Sequence, residues 1–354
     1  MKRKLSSRLL AGALCVLLLL ALAACSGGNT NSSVAKSSTG SSTVSAEPAS
    51  EPSAAGTGNE DAEYHVGICQ LVPHEALDAA TKGFRDALTE EFGDKVVFDE
   101  QNAANDSATC ATIANEFVTS KVDLILANAT PALQAAATAT SDIPVLGTSV
   151  TEYGVALGIS GFSGTVGGNV SGTSDLAPLD QQAQMIKEWY PDAKTVGLLY
   201  CSNENNSQYQ VDTVQGYLEE LGYTCTQYPF SDSNDMAAVT QTAADNSDVL
   251  YVPTDNTCAS STGIIDNICR PAKIPVFCGE EGIAKGCGVA TLSISYYDLG
   301  VATGKMAVKI LKGEANISEM PVEYAANFTK KYNKEICDEL GVTPPEGYEA
   351  IAAE

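Results

Sequence analysis

The segment DVLYVPTDNT, residues 248–257, runs from an acidic residue through an apolar stretch to a cluster of hydroxyl, acid and amide side chains. A second segment, DLILANAT at residues 123–130, has the same order: an Asp, an apolar stretch and a Thr. Both stretches are apolar on both faces, as is typical of strands in a parallel sheet that helices cover on either side. The two segments therefore predict two buried parallel strands that end in polar residues.

Two further landmarks occur twice around these segments and in the same order. Val-Gly-Ile at 66–68 matches Val-Gly-Leu at 196–198, and Ile-Pro-Val at 143–145 matches 274–276. Apolar residues between the first two landmarks recur at helical spacing: Leu77, Ala80, Phe84 and Leu88 in the first half, and Val211, Val214, Leu218 and Leu221 in the second. Three matches in register indicate a duplicated plan. We predict an α/β fold with two doubly wound parallel-sheet (Rossmann-like) lobes joined by a hinge.

The first 24 residues have the plan of a secretory signal peptide, because four basic residues precede the apolar run 9–24. The run closes on Leu-Ala-Ala-Cys, residues 22–25, which resembles the lipobox of bacterial lipoproteins. We therefore expect Cys25 to be lipidated and the protein to be anchored in the cell membrane, facing the extracytoplasmic side. Residues 26–62 are rich in Ser, Thr, Gly, Ala and Pro, which predicts a disordered tether.

About 290 residues follow the tether, which is long for one core and suits two lobes of ordinary domain size. We expect lobe 1 to contain residues 64–174 and a returning segment at about 282–313. Lobe 2 is then expected to contain residues 175–281 and about 314–354. The helix predicted near Leu299 to Ile310 lies close to the returning crossover, which leaves its lobe open.

The formal net charge is -24, and removal of the four basic residues of the signal gives -28 for the exported chain. Such an acidic chain is not expected to bind nucleic acid or anionic lipid surfaces. Of eleven Cys, nine remain after Cys15 and Cys25 are set aside, and no C-x-x-C pair occurs. With only His65 and His74 as imidazoles, the sequence predicts no metal site and no cofactor.

Three cysteines follow apolar runs that are predicted as strands: Cys69, Cys201 and Cys278. These are expected to be small buried hydrophobic residues, whereas disulfides remain open for the others in an exported protein.

The loops at the predicted strand ends contain no Lys or Arg, which disfavours phosphorylated or dicarboxylic ligands. They offer hydroxyl and amide side chains beside Glu204, Asp255, Glu280 and Glu281. Carboxylates suit an ammonium group, and hydroxyls with the N–H groups of helix starts suit a carboxylate. A zwitterion such as a free amino acid needs both, and parallel sheets bind ligands at this edge.

Each of these polar residues also has a purely structural interpretation. Asp255 and Asn256 could be helix N-caps, and Asn203 to Ser207 could be a solvated turn. Thr130-Pro131 is a good helix start in any case. His74 is more typical of a loop than of a catalyst.

At these loops the chain resembles the substrate-binding lipoproteins of ABC importers, in the branch whose members bind aromatic amino acids such as tryptophan, tyrosine and phenylalanine. The resemblance spans about Tyr64 to Val342 and rests on these segments: 73–78, 123–134, 169–175, 203–207, 254–257 and 295–300. It implies the type I periplasmic-binding-protein architecture, with three hinge strands and closure upon a small ligand. The chain departs from the family at 73–75 and 152–156, two cleft loops, and this leaves the ligand open.

The resemblance also implies roles for individual residues. It makes Thr130, Ser174, Asn206 and Ser207 candidates for the ligand carboxylate. It makes Asp255 and Asn256 candidates for the ammonium group. Gln70 and Leu71, with Tyr153, are expected to face the ligand side chain.

The function expected from these observations is capture of a small zwitterion, an aromatic amino acid above all, by a monomeric binding protein that delivers it to an ABC permease. A ligand-sensing lobe of a signalling system and a binder of a sugar or nucleoside remain alternatives. An enzyme is disfavoured because no constellation of nucleophile, base and orienting acid is visible in the sequence.

Overall fold

Residues 63–352 are the part of the chain that our computed structural model describes. The predicted signal peptide, lipidated Cys25 and tether lie outside the described residues. Within them the chain forms two sheets, each covered by helices on both faces.

The first sheet is wholly parallel and has the order β11-β5-β4-β3-β1-β2. Its strands are β1 (Tyr64–Gln70), β2 (Val96–Asn102), β3 (Leu124–Asn128), β4 (Val145–Val150), β5 (Val170–Ser174) and β11 (Glu323–Tyr324).

The second sheet has the order β13-β12-β10-β9-β8-β6-β7. Its strands are β6 (Thr195–Cys201), β7 (Thr224–Phe230), β8 (Val249–Val252), β9 (Val276–Cys278), β10 (Ala290–Ser293), β12 (Thr329–Tyr332) and β13 (Glu349–Ala350). Only the β10–β12 pair is antiparallel among the described strands. The first five strands of each half occur in the same spatial order, second-first-third-fourth-fifth, which confirms the duplicated plan and the predicted fold class.

Twelve α-helices connect or flank the strands of the described range. They are α1 (Glu75–Phe92), α2 (Ser107–Ser120), α3 (Thr130–Ala139), α4 (Tyr153–Leu157), α5 (Leu179–Trp189), α6 (Asn205–Glu220), α7 (Ser233–Asn246), α8 (Asn256–Ala259), α9 (Thr262–Ala272), α10 (Glu281–Cys287), α11 (Tyr296–Leu311) and α12 (Lys334–Leu340). Single 3-10 turns occur at Gly93–Lys95 and Ile317–Glu319. We call the first sheet with α1 to α4 and α11 lobe 1, and the second sheet with its helices lobe 2.

Strand β3 shows why these apolar stretches become central strands. Leu124 and Leu126 belong to the core that α1 and α11 cover, whereas Ile125 and Ala127 belong to the core on the opposite face, under α2 and α3. Residues of β8 alternate between two cores of the second sheet in the same way. A strand that is buried on both faces must be apolar throughout, which is the pattern in the sequence.

The duplicated landmarks have matching structural roles. Asp123 accepts a hydrogen bond from the backbone N–H of His65 at 2.8 Å, and Asp248 accepts from the N–H groups of Lys194 and Thr195 at 2.7 and 2.9 Å. Each carboxylate therefore ties the start of the third strand of its lobe to the start of the first. These backbone hydrogen bonds also lower the pKa of Asp248, since they favour the ionised form.

The glycines in these landmarks allow close packing. A Cβ atom at Gly67 would lie 2.7 Å from the ring of Phe117, and one at Gly197 would lie 2.5 Å from Ser247 Oγ. A side chain at either position would push the strand away from its neighbours, so Gly is required there by close approach.

The chain passes between the lobes three times: between β5 and α5, between β10 and α11, and between β11 and β12. This places α11 against α1 in lobe 1. The structure corrects the expected domain edges, because α10 and β10 (281–293) lie in lobe 2, whereas β11 pairs with β5 of lobe 1. The expected return near residue 282 was too early, because the pairing of β10 with β9 has no local signal in the sequence.

No helix between residues 63 and 352 is both long and apolar enough to span a bilayer. The nine cysteines in this range are free thiols. Cys69, Cys201 and Cys278 are buried in the hydrophobic cores, as predicted.

Candidate functional site

The loops after β1 and β2 of lobe 1 meet the loop after β8 of lobe 2. His74 Nε2 lies 3.2 Å from Asn256 Oδ1, and Asn105 Nδ2 donates to Thr257 Oγ1 at 3.0 Å. Burial lowers the pKa of His74, so its ring is neutral and donates its Nε2 proton to the Asn256 oxygen. The carboxyl ends of the two sheets therefore face each other across a closed cleft.

Glu204 organises the lobe 2 side of this contact. Its carboxylate is only 4% exposed and accepts hydrogen bonds from the backbone N–H groups of Asn256 and Thr257 at 3.0 and 2.9 Å. It also accepts from the Asn256 amide at 2.7 Å and from the Thr257 hydroxyl at 2.8 Å. Glu204 thus holds the first turn of α8 in place for the partners from lobe 1, and most of its acceptor capacity is used within the chain.

Asp255 is the side-chain N-cap of α8. Its Oδ1 accepts from the N–H of Cys258 at 2.8 Å, and its Oδ2 accepts from the N–H of Cys201 at 2.7 Å. Burial, with the neighbouring charge of Glu204 as the next cause, raises the pKa of Asp255 to about 7. This geometry supports the structural interpretation of Asp255 and differs from the expected contact with the ligand ammonium, because both oxygens already join α8 to β6.

Asn256 is engaged in the same way. Its amide nitrogen donates to Glu204, and its oxygen accepts from His74. Asn256 therefore lies at the interlobe contact, where its polar atoms bind residues of this chain.

The residues expected to face the ligand side chain have partners within lobe 1. Gln70 is held by hydrogen bonds of 2.6 Å to side chains of α1, and Leu71 is buried in the core under α2 and α3. Tyr153 donates its hydroxyl to the carbonyl of Thr173 at 3.1 Å, and its ring is fully buried. The structure therefore places Gln70 and Tyr153 in supporting positions, where a contact with a ligand would compete with bonds that are already made.

Three of the four expected carboxylate residues lie at two helix starts, whereas Ser174 ends β5. Thr130 begins α3, after Ala129 with φ of 92°, and no side chain caps this helix. Asn206 and Ser207 lie in the first turn of α6, whose N-cap Glu204 makes no side-chain cap bond. All three side chains are buried. Backbone N–H groups at such starts can bind an anion, and a non-glycine residue at positive φ is a feature that clusters at ligand sites.

Asp175 is a buried acid that the sequence did not single out as a site residue. It lies on the β5–α5 crossover, is 4% exposed, and its Oδ2 accepts from the hydroxyl of Tyr296 at 3.0 Å. Burial raises the pKa of Asp175 to about 6, against the opposing hydrogen bonds of Thr151 and Tyr296. Ser174, next to it, donates to the carbonyl of Thr151 at 2.8 Å and so fixes the crossover.

Sequence signals for this site existed, because residues 169–175 and 295–300 include Asp175 and Tyr296 and belong to the segments that carry the family resemblance. Their closeness could not be predicted, since the two residues lie on different crossovers. It follows that the crossovers meet at the floor of the cleft.

The buried side-chain oxygens without a hydrogen-bond partner among the described residues include Ser149 Oγ, Asp175 Oδ1 and Asn206 Oδ1. Ser149 lies near the end of β4 with φ of 54°, another non-glycine residue at positive φ. Unpaired buried polar atoms are uncommon and costly, so they mark places where a ligand or water supplies the missing partner.

A cavity of about 270 Å³ lies between the lobes beside Tyr296. Its walls include Glu75 of α1, Glu280 and Glu281 at the start of α10, and Lys331 of β12. Lys331 pairs with Glu281 at 2.8 Å, and burial raises the pKa of Glu280 to about 7. The cavity therefore has charged side chains of both signs in its walls.

Comparison with known proteins gives a family match over almost the whole described range. The sequence profile of the family described as "ABC transporter substrate binding protein" matches residues 65–354. A protein of Clostridioides difficile strain R20291, named tyrosine-binding protein, is 39% identical over 263 residues, which cover 73% of this chain and 76% of that protein.

Two solved structures are similar over the same region. One is the ABC domain from Streptococcus pneumonia in complex with L-Trp, with a TM-score of 0.78 and 35% identity, covering 82% of this chain and 100% of that chain. The other is the ligand-free, open structure of a substrate binding protein with adhesive properties from Clostridium difficile, with a TM-score of 0.64 and 40% identity, covering 82% and 100%.

The two structures rank in opposite order by TM-score and by sequence identity to this chain. The chain is more identical in sequence to the open protein, yet it superposes better on the complex with L-Trp. The lobes are therefore arranged more like those of the complex, in agreement with the hydrogen bonds that join His74 to Asn256 and Asn105 to Thr257.

Proposed function

The chain belongs to the ABC transporter substrate binding protein family, and from this premise we propose that it captures a free amino acid, an aromatic one above all, in the cleft between its lobes. It is a solute-binding protein of the extracytoplasmic side with the type I periplasmic-binding-protein fold, and its family implies an ABC permease as partner. The signal peptide, the lipid on Cys25, the monomeric state and the absence of catalysis are parts of the proposal.

The observation that carries the proposal is the mixture of polar groups at the strand ends. Two helix starts, at Thr130 of α3 and Asn205 of α6, present backbone N–H groups without a side-chain cap, and the acid Asp175 lies buried beside the cleft. The strand-end loops contribute no Lys or Arg. A ligand with one anionic and one cationic group suits this set better than a phosphate, which would call for a cationic side chain.

Within this proposal, Thr130 and Ser207 contribute to the carboxylate site at the two helix starts. Asp255, Asn256 and Ser174 hold the surrounding loops, because their polar atoms are bound within the chain. Leu71 and the other apolar residues of the lobe 1 core back the site without polar contact.

The names of the relatives support the aromatic ligand. A protein that is 39% identical is named for tyrosine binding, and a structure that is 35% identical contains L-Trp. Differential affinity of such a ligand for the closed state would hold the lobes together.

Thermal unfolding of the purified protein with a ligand panel tests this function. After any copurified ligand is removed by dialysis in denaturant and refolding, the panel contains L-tyrosine, L-tryptophan, L-phenylalanine, L-leucine, D-glucose and adenosine. A ligand at about 100 times its Kd stabilises the folded state by about 2.7 kcal/mol, which raises the Tm by roughly 5 °C or more in a protein of this size.

Two analogues of tyrosine make the test sharper. Tyramine lacks the carboxylate and 3-(4-hydroxyphenyl)propionate lacks the ammonium group, so both should shift the Tm much less than L-tyrosine. A shift with glucose or adenosine and none with any amino acid would overturn the proposed function.

A further inference from the structure

Cys69 and Cys110 form a pair of thiols in the core of lobe 1. Cys69 lies on β1 and Cys110 in the first turn of α2, and both are fully buried. A hydrogen bond joins the two side chains, and the Cys69 thiol is its donor. The core under α2 and α3 contains no other cysteine among its described residues. Each of these two sulfurs therefore has a single sulfur partner.

The packing of α2 on β1 brings the two cysteines together. Side chains alternate along a strand, so Gly67 and Cys69 face the same side of β1. Residues seven apart lie on one face of a helix, so Cys110 and Phe117 face the same side of α2. A Cβ atom at Gly67 would lie 2.7 Å from the Phe117 ring, which shows how closely the two elements approach there. The contact between Cys69 and Cys110 belongs to the same interface.

Backbone hydrogen bonds hold the segments on either side of the pair. The N–H of Ala103 donates to the Gln70 carbonyl at 2.9 Å, and the N–H of Asn105 donates to the Leu71 carbonyl at 2.8 Å. The loop that leads into α2 is therefore tied to the residues that follow Cys69. This arrangement keeps the backbones that carry the two sulfurs beside each other.

The other buried cysteines are arranged differently. Cys201 and Cys337 donate to backbone carbonyls, at 3.4 and 3.6 Å. One core of lobe 2 contains five cysteines: Cys201, Cys258, Cys269, Cys278 and Cys287. Cys278 contacts Cys287 there, but so many thiols in one core define no single pairing. The pair in lobe 1 is therefore the better defined one.

We propose that Cys69 and Cys110 are oxidised to a disulfide bond outside the cytoplasm, and that this bond fixes the start of α2 to the end of β1. The chain is a solute-binding protein of the extracytoplasmic side, where disulfides form and persist. The free thiols of the structure are the reduced state of this pair. The inference goes beyond the proposed function, because it concerns the scaffold of lobe 1 and holds for any ligand of the cleft.

Thiol–disulfide exchange with a small-molecule disulfide, R–S–S–R, supplies the oxidation. The reactive species is a thiolate, and the hydrogen bond from Cys69 lowers the pKa of Cys110, so Cys110 is the attacking sulfur. After it loses its proton to water, its sulfur bonds to one sulfur of R–S–S–R, and the other leaves as RS⁻. Cys69 then gives its proton to this RS⁻ and attacks the sulfur of Cys110, which expels a second RS⁻. The second RS⁻ takes up the proton that Cys110 released. Two cysteine thiols are thus oxidised to one disulfide, and R–S–S–R is reduced to two molecules of RSH.

Burial decides when this exchange takes place. Both side chains are 0% exposed, so R–S–S–R reaches them only while the chain folds or while α2 is locally detached from β1. Once formed, the bond is shielded from reductants in the same way. The disulfide closes a segment of about 40 residues, which restricts the unfolded chain and should raise the Tm by roughly 5 °C.

Refolding of the exported chain tests the proposal, with Cys25→Ser in every variant so that only the nine thiols of residues 63–352 remain. The reduced, denatured protein is refolded with or without glutathione disulfide, denatured again and alkylated with iodoacetamide. Peptide mapping by mass spectrometry then shows which cysteines are alkylated and which are joined by a disulfide. Thermal unfolding of each refolded sample gives its Tm.

With glutathione disulfide, the wild-type core should contain a disulfide that joins Cys69 to Cys110, and its Tm should exceed that of the reduced sample by roughly 5 °C. Cys110→Ser should leave Cys69 alkylated and should gain no such increase in Tm. The matched control Cys225→Ser removes a half-buried cysteine of β7 in lobe 2. It should form the bond between Cys69 and Cys110 as wild type does.

Alkylation of both Cys69 and Cys110 after refolding with glutathione disulfide would overturn the proposal. A disulfide from either residue to another cysteine, or a stable glutathione adduct on Cys110, would overturn it as well, because each would show that the two sulfurs do not meet. An oxidised Tm equal to or below the reduced one would refute the stabilising role of the bond. The peptide map of wild type needs no variant, so the test holds even if Cys110→Ser does not fold. Because the readout is a covalent bond, failure of the amino-acid proposal would leave this inference standing.

Discussion

Replacing Gly300 with Ala should destabilise the protein, although Ala is the better helix former. Gly300 and Gly83 lie where α11 and α1 cross, and a Cβ atom at Gly300 would be 2.0 Å from the carbonyl oxygen of Ala80. At Gly83 the corresponding distance, to the carbonyl of Tyr297, is 2.1 Å. Because these are backbone atoms of the facing helix, the steric clash can be removed only if the two helices move apart by about 1 Å or more.

The expected magnitude follows from two opposing effects. Overpacking costs about 1–3 kcal/mol and occasionally more, and a rigid backbone obstacle favours the upper end of that range. The Gly to Ala change in a helix interior returns about 1 kcal/mol. The net loss for Gly300→Ala should be about 2 kcal/mol, or a fall in Tm of roughly 4–8 °C for the protein without ligand.

Gly216 in α6 provides the matched control, because it is exposed and a Cβ there would meet no atom within 4 Å. Gly216→Ala should raise stability by about 0.5–1 kcal/mol. Urea unfolding of both variants at one pH, followed by circular dichroism, measures the two changes. If Gly300→Ala were as stable as wild type, or more so, the close crossing of α1 and α11 would not describe the protein in solution.

Three further predictions concern the cleft. Glu204→Gln should lower the free energy of unfolding by about 2–4 kcal/mol, since an amide leaves at least one buried N–H donor without an acceptor. The control Glu220→Gln, at an exposed position, should change it by less than about 0.5 kcal/mol. Equal urea midpoints for the two variants would contradict this prediction. His74→Ala should weaken amino-acid binding by about 2- to 10-fold in a calorimetric titration, because it removes an interlobe hydrogen bond; unchanged or tighter binding would refute its role in closure. The stability of the ligand-free protein should fall between pH 5 and pH 8, because Asp255 and Glu280 have pKa values raised to about 7 by burial, so the folded state loses favoured protons as the pH rises. Asp175, whose pKa burial raises to about 6, acts in the same direction. The lowered pKa of His74 acts in the opposite direction, but as one group against three; a urea midpoint that increases from pH 5 to pH 8 would contradict this prediction.

The closed arrangement gives these predictions their common basis. His74 and Asn105 of lobe 1 bond to the first turn of α8, and Glu204 fixes that turn from within lobe 2. A change at Glu204 should therefore alter both stability and ligand affinity. A change at His74 should act mainly on affinity, because its hydrogen bond to Asn256 forms only when the lobes meet.

The family relationship could be predicted from local patterns, and so could the chemistry of the strand ends. The helix start at Thr130 followed from a Pro at the first turn. Residues 203–207, for which a solvated turn was the structural interpretation, instead include the N-cap and first turn of α6. The N-cap interpretation of Asp255 could also be predicted, since an Asp after a strand and before a short helix is a common cap. What could not be predicted was that both oxygens of Asp255 are used within the chain, because one donor, Cys201, lies on a different strand.

The sequence by itself determined the two-lobed plan, since strands that are buried on both faces must be apolar throughout and the duplicated landmarks repeat that demand in both halves. It also determined that the strand ends are polar and lack cationic side chains. Only the tertiary structure shows that β10 belongs to lobe 2 and that the chain returns to lobe 1 between β10 and α11. It also shows that Asp175 and Tyr296 form a hydrogen bond. The physical reason is that burial and hydrogen-bond satisfaction depend on partners far apart in the chain. The pKa of Asp175 and its unpaired oxygen exist only once the two crossovers lie side by side.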